Sequence, residues 1–317
     1  MDTVRALVFN KHGIGHMTRV ARFPRPGETI RALEWRFGED AGKGTNVAVA
    51  LGRLGIKSAF VCKVGADDGG ALGAKWLKGA GVDLKHYKMS QQLTTDIGLV
   101  ITQSDGENMI IGSAQHPCYT SREELFAAID DYPEAEFFLT GLEIDQRLPI
   151  EGCRYARSRG MTTLLNASPL TDEIRQPLDC VDYLFVNALE GVQLSGAEKK
   201  DRSWYQIAEL VRRRHHPKTV VMTLGAKGCI VCRGDGGRFF ASYEATCVDS
   251  IAAGDGFMAA FAAGLAWGMT DAEAADWANR YSAVVVSRKG AILSYPTLNE
   301  AKEISGSFKK RQANEGA

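Results

Sequence analysis

Four short apolar runs restrict what this chain can fold into. Phe137-Phe-Leu-Thr140, Thr162-Thr-Leu-Leu165, Tyr183-Leu-Phe-Val186 and Thr219-Val-Val-Met-Thr223 are each of strand length, carry no charge and are spaced by helical stretches. Strands that are apolar on both faces and alternate with helices belong to mostly parallel sheets covered on both sides. A doubly wound α/β fold is therefore expected, and 317 residues suffice for one large core. Each run is followed by a polar group or a glycine: Glu143, Asn166, Asn187 with Glu190, and Gly225. Open α/β sheets bind ligands at the carboxyl ends of their strands, so these endings together mark one edge of the sheet as a candidate site.

The N-terminal third departs from that alternation. Val4-Arg-Ala-Leu-Val-Phe9 reads as a buried first strand, followed by the polar, Gly-punctuated turn Asn10-Lys-His-Gly-Ile-Gly-His16. Residues 17–22 and 29–36 read as strands around the turn Pro24-Arg-Pro-Gly-Glu28. Residues 96–103 and 108–113 read as a hairpin around Ser104-Asp-Gly-Glu107. These pieces are assigned to a small β-sheet lid, from about 10–40 and 94–115, over a single α/β domain spanning 1–305. Residues 306–317 are expected to form a frayed tail.

Two glycine-rich stretches lead into helices. Ala41-Gly-Lys-Gly-Thr-Asn46 runs into a helix over 47–54, making a polar, anion-friendly start. It is no Walker A loop: Phe37 stands where a glycine is required, and Gly44 displaces the Ser/Thr after Lys43. Gly42, Lys43 and Asn46 are candidate substrate ligands, with helix capping as the plainer reading. The second stretch, Asp249-Ser-Ile-Ala-Ala-Gly-Asp-Gly256, precedes a charge-free apolar run over 257–268 that reads as a buried helix. Ala252, Ala253 and Gly254 let a ligand approach the backbone, and the unpaired N–H groups of a helix start suit a phosphate. Asp255 is then either an N-cap carboxylate or a general base for an attacking hydroxyl. A helix over 273–286 leads into a loop, 287–294, expected to return toward Asp255.

Charge and cysteine usage narrow the partners. Lys+Arg and Asp+Glu both number 38, which argues against nucleic acid or an anionic membrane surface. The run Arg212-Arg-Arg-His-His216 reads as a solvated helix end. No apolar segment is long enough to span a membrane and no leader-like segment opens the chain, so a cytoplasmic location is expected. The seven cysteines are scattered, and Cys229 and Cys232 lie in a strand-like run, so structural thiols are expected.

Over roughly residues 4–305 the chain resembles the ribokinase, or PfkB, family of carbohydrate kinases. Four landmarks occur in order: Gly42-Lys-Gly-Thr-Asn46 with Arg53-Leu-Gly55 and Val64-Gly65; Asn187-Ala-Leu-Glu190; Thr223-Leu-Gly225 with Lys227-Gly228; and Asp249 to Asp255 with Ala259-Ala260. The resemblance implies transfer of the γ-phosphoryl group of ATP to a sugar-like alcohol. Asp255 would be the base and the amides of Ala252, Ala253 and Gly254 an anion hole. Asn187 and Glu190 would hold Mg²⁺ and phosphate, largely through water. Thr223, Gly225 and Gly228 would line the nucleotide side, with Asn279 near the adenine. Lys43, Asn46 and Glu143 would belong to the sugar side. Ile251, Val285, Arg288 and Gly290 through backbone oxygens, with the side chains of Asp249 and Ser294, would hold a monovalent cation, usually K⁺. The lid would exclude water and join two subunits as a homodimer.

One departure stands out. The family's Asn-x-Asp sugar-binding pair falls at Gly13 and Gly15, which have no side chains to offer a hydroxyl. Asn10, Lys11, His12 or His16 are the candidates to take over. Lys11 either meets an acidic group on the substrate or projects into solvent. The expected substrate is a free sugar or a close relative. The alternatives are a sugar acid, a sugar phosphate or a nucleoside, or a non-catalytic sugar-binding protein on the same fold.

Overall fold

Alternate residues of the first strand, β1 (Ala6–Phe9), enter two different cores: Ala6 and Val8 pack on one side, Leu7 and Phe9 on the other. Burial on both faces is what an uncharged apolar run allows and an alternating one does not. The computed structural model describes residues 3–103, 108–112, 119–171, 173–174, 176–200, 202–234 and 236–312. The chain continues through β2 (Gly13–Val20), β3 (Glu34–Asp40), β4 (Ser58–Gly65), β5 (Tyr87–Ser90), β6 (Asp96–Gln103) and β7 (Asn108–Gly112). There follow β8 (Phe137–Gly141), β9 (Thr162–Asn166), β10 (Tyr183–Asn187), β11 (Thr219–Thr223), β12 (Gly228–Arg233) and β13 (Gly236–Ala241).

Nine of these strands form the main sheet, in the order β13-β12-β11-β10-β9-β8-β1-β4-β5. It is parallel from β11 to β5 and antiparallel at β12 and β13. Because β4 and β8 flank β1 on opposite sides, the chain order reverses there, and a crevice opens beyond the carboxyl ends of the strands. One core contains the helix Ala253–Ala266, whose Phe257 and Phe261 meet Phe185 of β10 edge-on. The four-stranded lid sheet has the order β3-β2-β6-β7.

The lid strands differ from the expected spans. β2 begins at Gly13, inside the stretch read as a turn, and β3 runs from Glu34 to Asp40 rather than over 29–36. Gly38, in the left-handed region at φ 72°, is carried within β3. The expected turn at 104–107, and Ser113 to residue 115 of the expected lid, lie outside the described residues. Nor does the tail fray directly after Gly306. Glu244 N–H donates to the Lys309 carbonyl and Arg311 N–H to that of Ser242, each at 2.8 Å, fixing this segment beside Tyr243. Residues 313–317 lie outside the described residues. Among the described residues no helix is long and apolar enough to cross a membrane.

Candidate active site

The helix Ala253–Ala266 starts without a side-chain cap. Its N-cap is Ala252, held in the left-handed region at φ 60°, ψ 10°, an arrangement uncommon for a residue with a Cβ. The Tyr295 hydroxyl donates to the Ala252 carbonyl at 3.0 Å and so braces this turn from the C-terminal loop. Asp255 lies in the first helical turn, yet its carboxylate is not spent on the helix's own amides. Oδ2 accepts the side-chain amide of Asn46 at 2.9 Å, and Oδ1 lies 3.9 Å from Lys43 Nζ. The N-cap is thus an alanine, and Asp255 is not the capping carboxylate that the plainer sequence reading allowed. Only 3% exposed, Asp255 is raised above the ordinary carboxylate range by burial, with Lys43 and the Asn46 amide pulling the other way.

Lys43 and Asn46 come from the helix Gly42–Arg53, which opens directly after β3. Gly42, at φ 74°, makes the turn out of the strand, and Gly44 lets the helix press onto the β1–β2 connection. A Cβ at Gly44 would sit 2.6 Å from the Lys11 carbonyl oxygen and 2.9 Å from Phe60. At i and i+3, Lys43 and Asn46 share one face of this helix. The backbone N–H of Lys43 donates to Glu143 Oε2 at 2.9 Å, just beyond the end of β8. Burial pushes Glu143 up to about 7, against the pull of Lys43. The Asp255 carboxylate in turn holds the Lys43 ammonium above its ordinary range.

These groups line a cavity of about 910 Å³ at the carboxyl edge of the sheet, shared with Asn187, Glu190, Thr223 and Gly225. Ser250, Ile251, Ala252 and Gly254 border it beside Asp255. Asn187 and Glu190 form a reciprocal helix cap: the Glu190 carboxylate accepts Asn187 N–H at 2.8 Å, and the Asn187 side chain accepts Glu190 N–H at 2.9 Å. Two of the expected nucleotide-side residues are engaged elsewhere. Asn279 is buried, and its amide donates to the Phe240 carbonyl at 3.0 Å, tying the helix Asp271–Val286 to β13. Gly228, at φ 127°, lies where β12 presses on the backbone of Phe240 and Ser242. Neither borders the cavity. Ala253, expected in the anion hole, donates its N–H to the Ser250 carbonyl at 3.3 Å and is also absent from the cavity wall.

The two C-terminal loops meet as expected. Asp249 Oδ2 accepts the N–H of Gly290 at 3.1 Å, and Oδ1 accepts that of Ile251 at 3.1 Å. The Val285 carbonyl receives Arg288 N–H at 3.1 Å, and the fully buried Ser294 hydroxyl donates to the Ala291 carbonyl at 2.6 Å. Arg36 of the lid reaches the same place, 3.4 Å from Asp249 Oδ2, a contact absent from the sequence reading.

At the sugar end, Gly13 and Gly15 lie in β2, and three of the four residues expected to replace them face elsewhere. Asn10 is buried and its side-chain oxygen accepts the N–H of Lys11 at 2.8 Å. His12 is buried between Thr45 and the Gly69 carbonyl, at 2.9 and 3.1 Å, and burial keeps its proton affinity low. His16 packs edge-on against Trp35 and Phe37. Lys11 does border the cavity, but its ammonium is ion-paired with the buried carboxylate of Asp96. Asp40, unassigned in the sequence reading, also borders the cavity and accepts the Asn46 amide at 2.9 Å. Its place follows from the pairing of β3 with Gly15 of β2 beside a register shift, which spacing along the chain does not report.

This architecture is shared with known proteins. The ribokinase of Staphylococcus aureus is 26% identical over 309 residues, 95% of this chain and 100% of the relative. That of Haemophilus influenzae is 29% identical over 295 residues, 91% and 94% of the respective chains. The structure of Arabidopsis thaliana ribokinase complexed with ribose and ATP superposes with a TM-score of 0.81 at 27% identity, covering 96% of this chain and 99% of that one. The sequence pattern of the pfkB family carbohydrate kinases matches residues 14–298, and the chain belongs to that family.

Proposed function

We propose that this carbohydrate kinase transfers the γ-phosphoryl group of ATP to a hydroxyl of a free sugar, with Asp255 as general base. The observation that carries the reading is one buried carboxylate, braced by Asn46 and Lys43, beside the uncapped start of a helix in the 910 Å³ cavity. A buried carboxylate with a raised proton affinity is suited to receive a hydroxyl proton, a contribution of about 10²–10⁴-fold in rate. The neighbouring N–H groups of Ala252 and Gly254, which border the cavity, would stabilise negative charge on the moving phosphoryl group. Preorganised donors of this kind are worth about 2.7–4 kcal/mol each. Lys43 would balance the charge gathered around Asp255.

Asn187, Glu190, Thr223 and Gly225 border the far part of the cavity, where the nucleotide would lie. One carboxylate with an amide suits Mg²⁺ held mainly through water and phosphate, and that ion would neutralise phosphate charge. Asp249 and Ser294 with the carbonyls of Ile251, Val285, Arg288 and Gly290 are oxygen donors suited to a hard monovalent cation such as K⁺. The charge of the sugar end favours a neutral substrate: Asp40, Glu143 and Asp255 face Lys43, while Lys11 is held by Asp96. An acidic substituent would meet carboxylates there. We assign the homodimer contact to the outer lid face, where Trp35, Phe37, Ile97 and Ile111 are each more than half exposed. Among the described residues six cysteines are free and five of them buried, which suits the reducing cytoplasm.

A coupled ATP-consumption assay over pentoses, hexoses, ketoses, sugar acids, sugar phosphates and nucleosides tests this reading. Saturable, Mg²⁺-dependent ADP release is expected with a neutral free sugar. Turnover confined to sugar acids, sugar phosphates or nucleosides, or absent throughout, contradicts it.

A further inference from the structure

At the sugar end, β3 fills space that β2 leaves empty. Gly13 and Gly15 leave β2 without side chains, and Asp40 of β3 is paired directly with Gly15, next to a bulge at Gly15 and His16. A Cβ built at Gly15 would lie 2.7 Å from Asp40 Cβ and 3.1 Å from Asp40 Oδ2. The volume a residue-15 side chain would occupy is therefore filled by the neighbouring strand's carboxylate. Gly15 is outside the left-handed region, so what excludes a side chain there is Asp40 itself and not the backbone.

The hydrogen bonds around Asp40 state what it can bind. Asn46 Nδ2 is shared between Asp40 Oδ1 and Asp255 Oδ2, both at 2.9 Å, which fixes the orientation of the amide. Asn46 is 2% exposed, and its Oδ1 is buried with no hydrogen-bond partner. Asp40 and Asn46 both border the cavity. Two acceptors, Asp40 Oδ2 and Asn46 Oδ1, thus stand beside the base, and a buried acceptor without a donor is costly. The ligand that satisfies them must donate, as the hydroxyls of a sugar do.

We propose that Asp40 is a sugar-recognition residue of this kinase, its carboxylate accepting a substrate hydroxyl from the place that Gly15 leaves open. The inference rests on the Asp255-centred reading above. It makes the substrate a neutral polyol on the lid side, with no carboxylate or phosphate directed at β3.

The test uses the full-length protein and the panel sugar with the highest wild-type kcat/KM. Asp40→Asn, Asp40→Gly, Gly15→Asp and the double variant Gly15→Asp/Asp40→Gly are compared, with Asp255→Asn alongside. Losing a hydrogen bond to a charged group predicts a sugar KM raised about 10- to 100-fold in Asp40→Gly, with the KM for ATP within about twofold of wild type. The near-isosteric Asp40→Asn should shift sugar KM in the same direction. Gly15→Asp alone should be impaired by its collision with Asp40, and the double variant should recover most of the lost sugar affinity. An unchanged sugar KM in both Asp40 variants overturns the proposal, as does a fall in kcat alone, or a double variant no better than Asp40→Gly. Wild-type turnover in Asp255→Asn would instead refute the base assignment and leave the Asp40 result to be judged by KM.

Discussion

Glu143 shows how one residue's surroundings become a measurable property of the molecule. Its carboxyl is pushed by burial from the usual 4.5 up to about 7, so the folded chain holds a proton there that the unfolded chain has released. A group raised on folding contributes stability that is full below about 4.5 and lost as the pH climbs through about 7. The melting temperature of wild type minus that of Glu143→Gln should therefore fall between pH 4.5 and 7 and level off above. Thermal melts at half-unit steps read this directly. A difference independent of pH would show that Glu143 is ionised throughout. At the same scale, the gathering of Asp255, Lys43 and Asn46 around one cavity was legible from residue type and helix position. The partner of Asn279 was not: its amide meets a carbonyl 39 residues away, and no local pattern reports such a contact.

At the scale of elements, the glycine-rich entry to the helix Gly42–Arg53 governs how Lys43 and Asn46 are presented. A methyl at Gly44 would strike the Lys11 carbonyl at 2.6 Å and Asn10 Cβ at 2.9 Å, both on the segment that leaves β1. Overpacking of this kind costs about 1–3 kcal/mol. Gly44→Ala should lose that much in urea unfolding and also raise the sugar KM, since the helix must lift away. Gly79→Ala is the contrast: a Cβ there meets nothing within 4 Å, and alanine should be neutral or stabilising by about 0.5–1 kcal/mol. Equal losses in the two variants would contradict the packing account. The lid strands show where element reading falters. Residues 29–33 alternate much as 34–40 do, and Gly38 interrupts the pattern, so the strand was placed too early and Asp40 was left unassigned. By contrast β6 and β11 are bounded as their apolar runs suggest, at Asp96–Gln103 and Thr219–Thr223.

At the scale of the whole molecule, sheet, lid and C-terminal helices each contribute one part of a single cavity. β8, β10 and β11 deliver Glu143, Asn187 and Thr223 to its rim. The lid supplies Asp40, and the helix Ala253–Ala266 supplies Asp255. The main sheet was readable because its strands repeat one apolar pattern, and the site because strand ends and helix starts are where backbone geometry gathers ligands. That β3 fills space left empty by β2 was not readable, because strand pairing decides it and spacing along the chain does not. The central claim, a proton taken by Asp255, is tested most directly by single-turnover phosphoryl transfer in Asp255→Asn with saturating ATP and sugar. The account predicts a rate lowered by at least 10²-fold with ATP affinity and the melting temperature nearly unchanged. A transfer rate within a few-fold of wild type would contradict it.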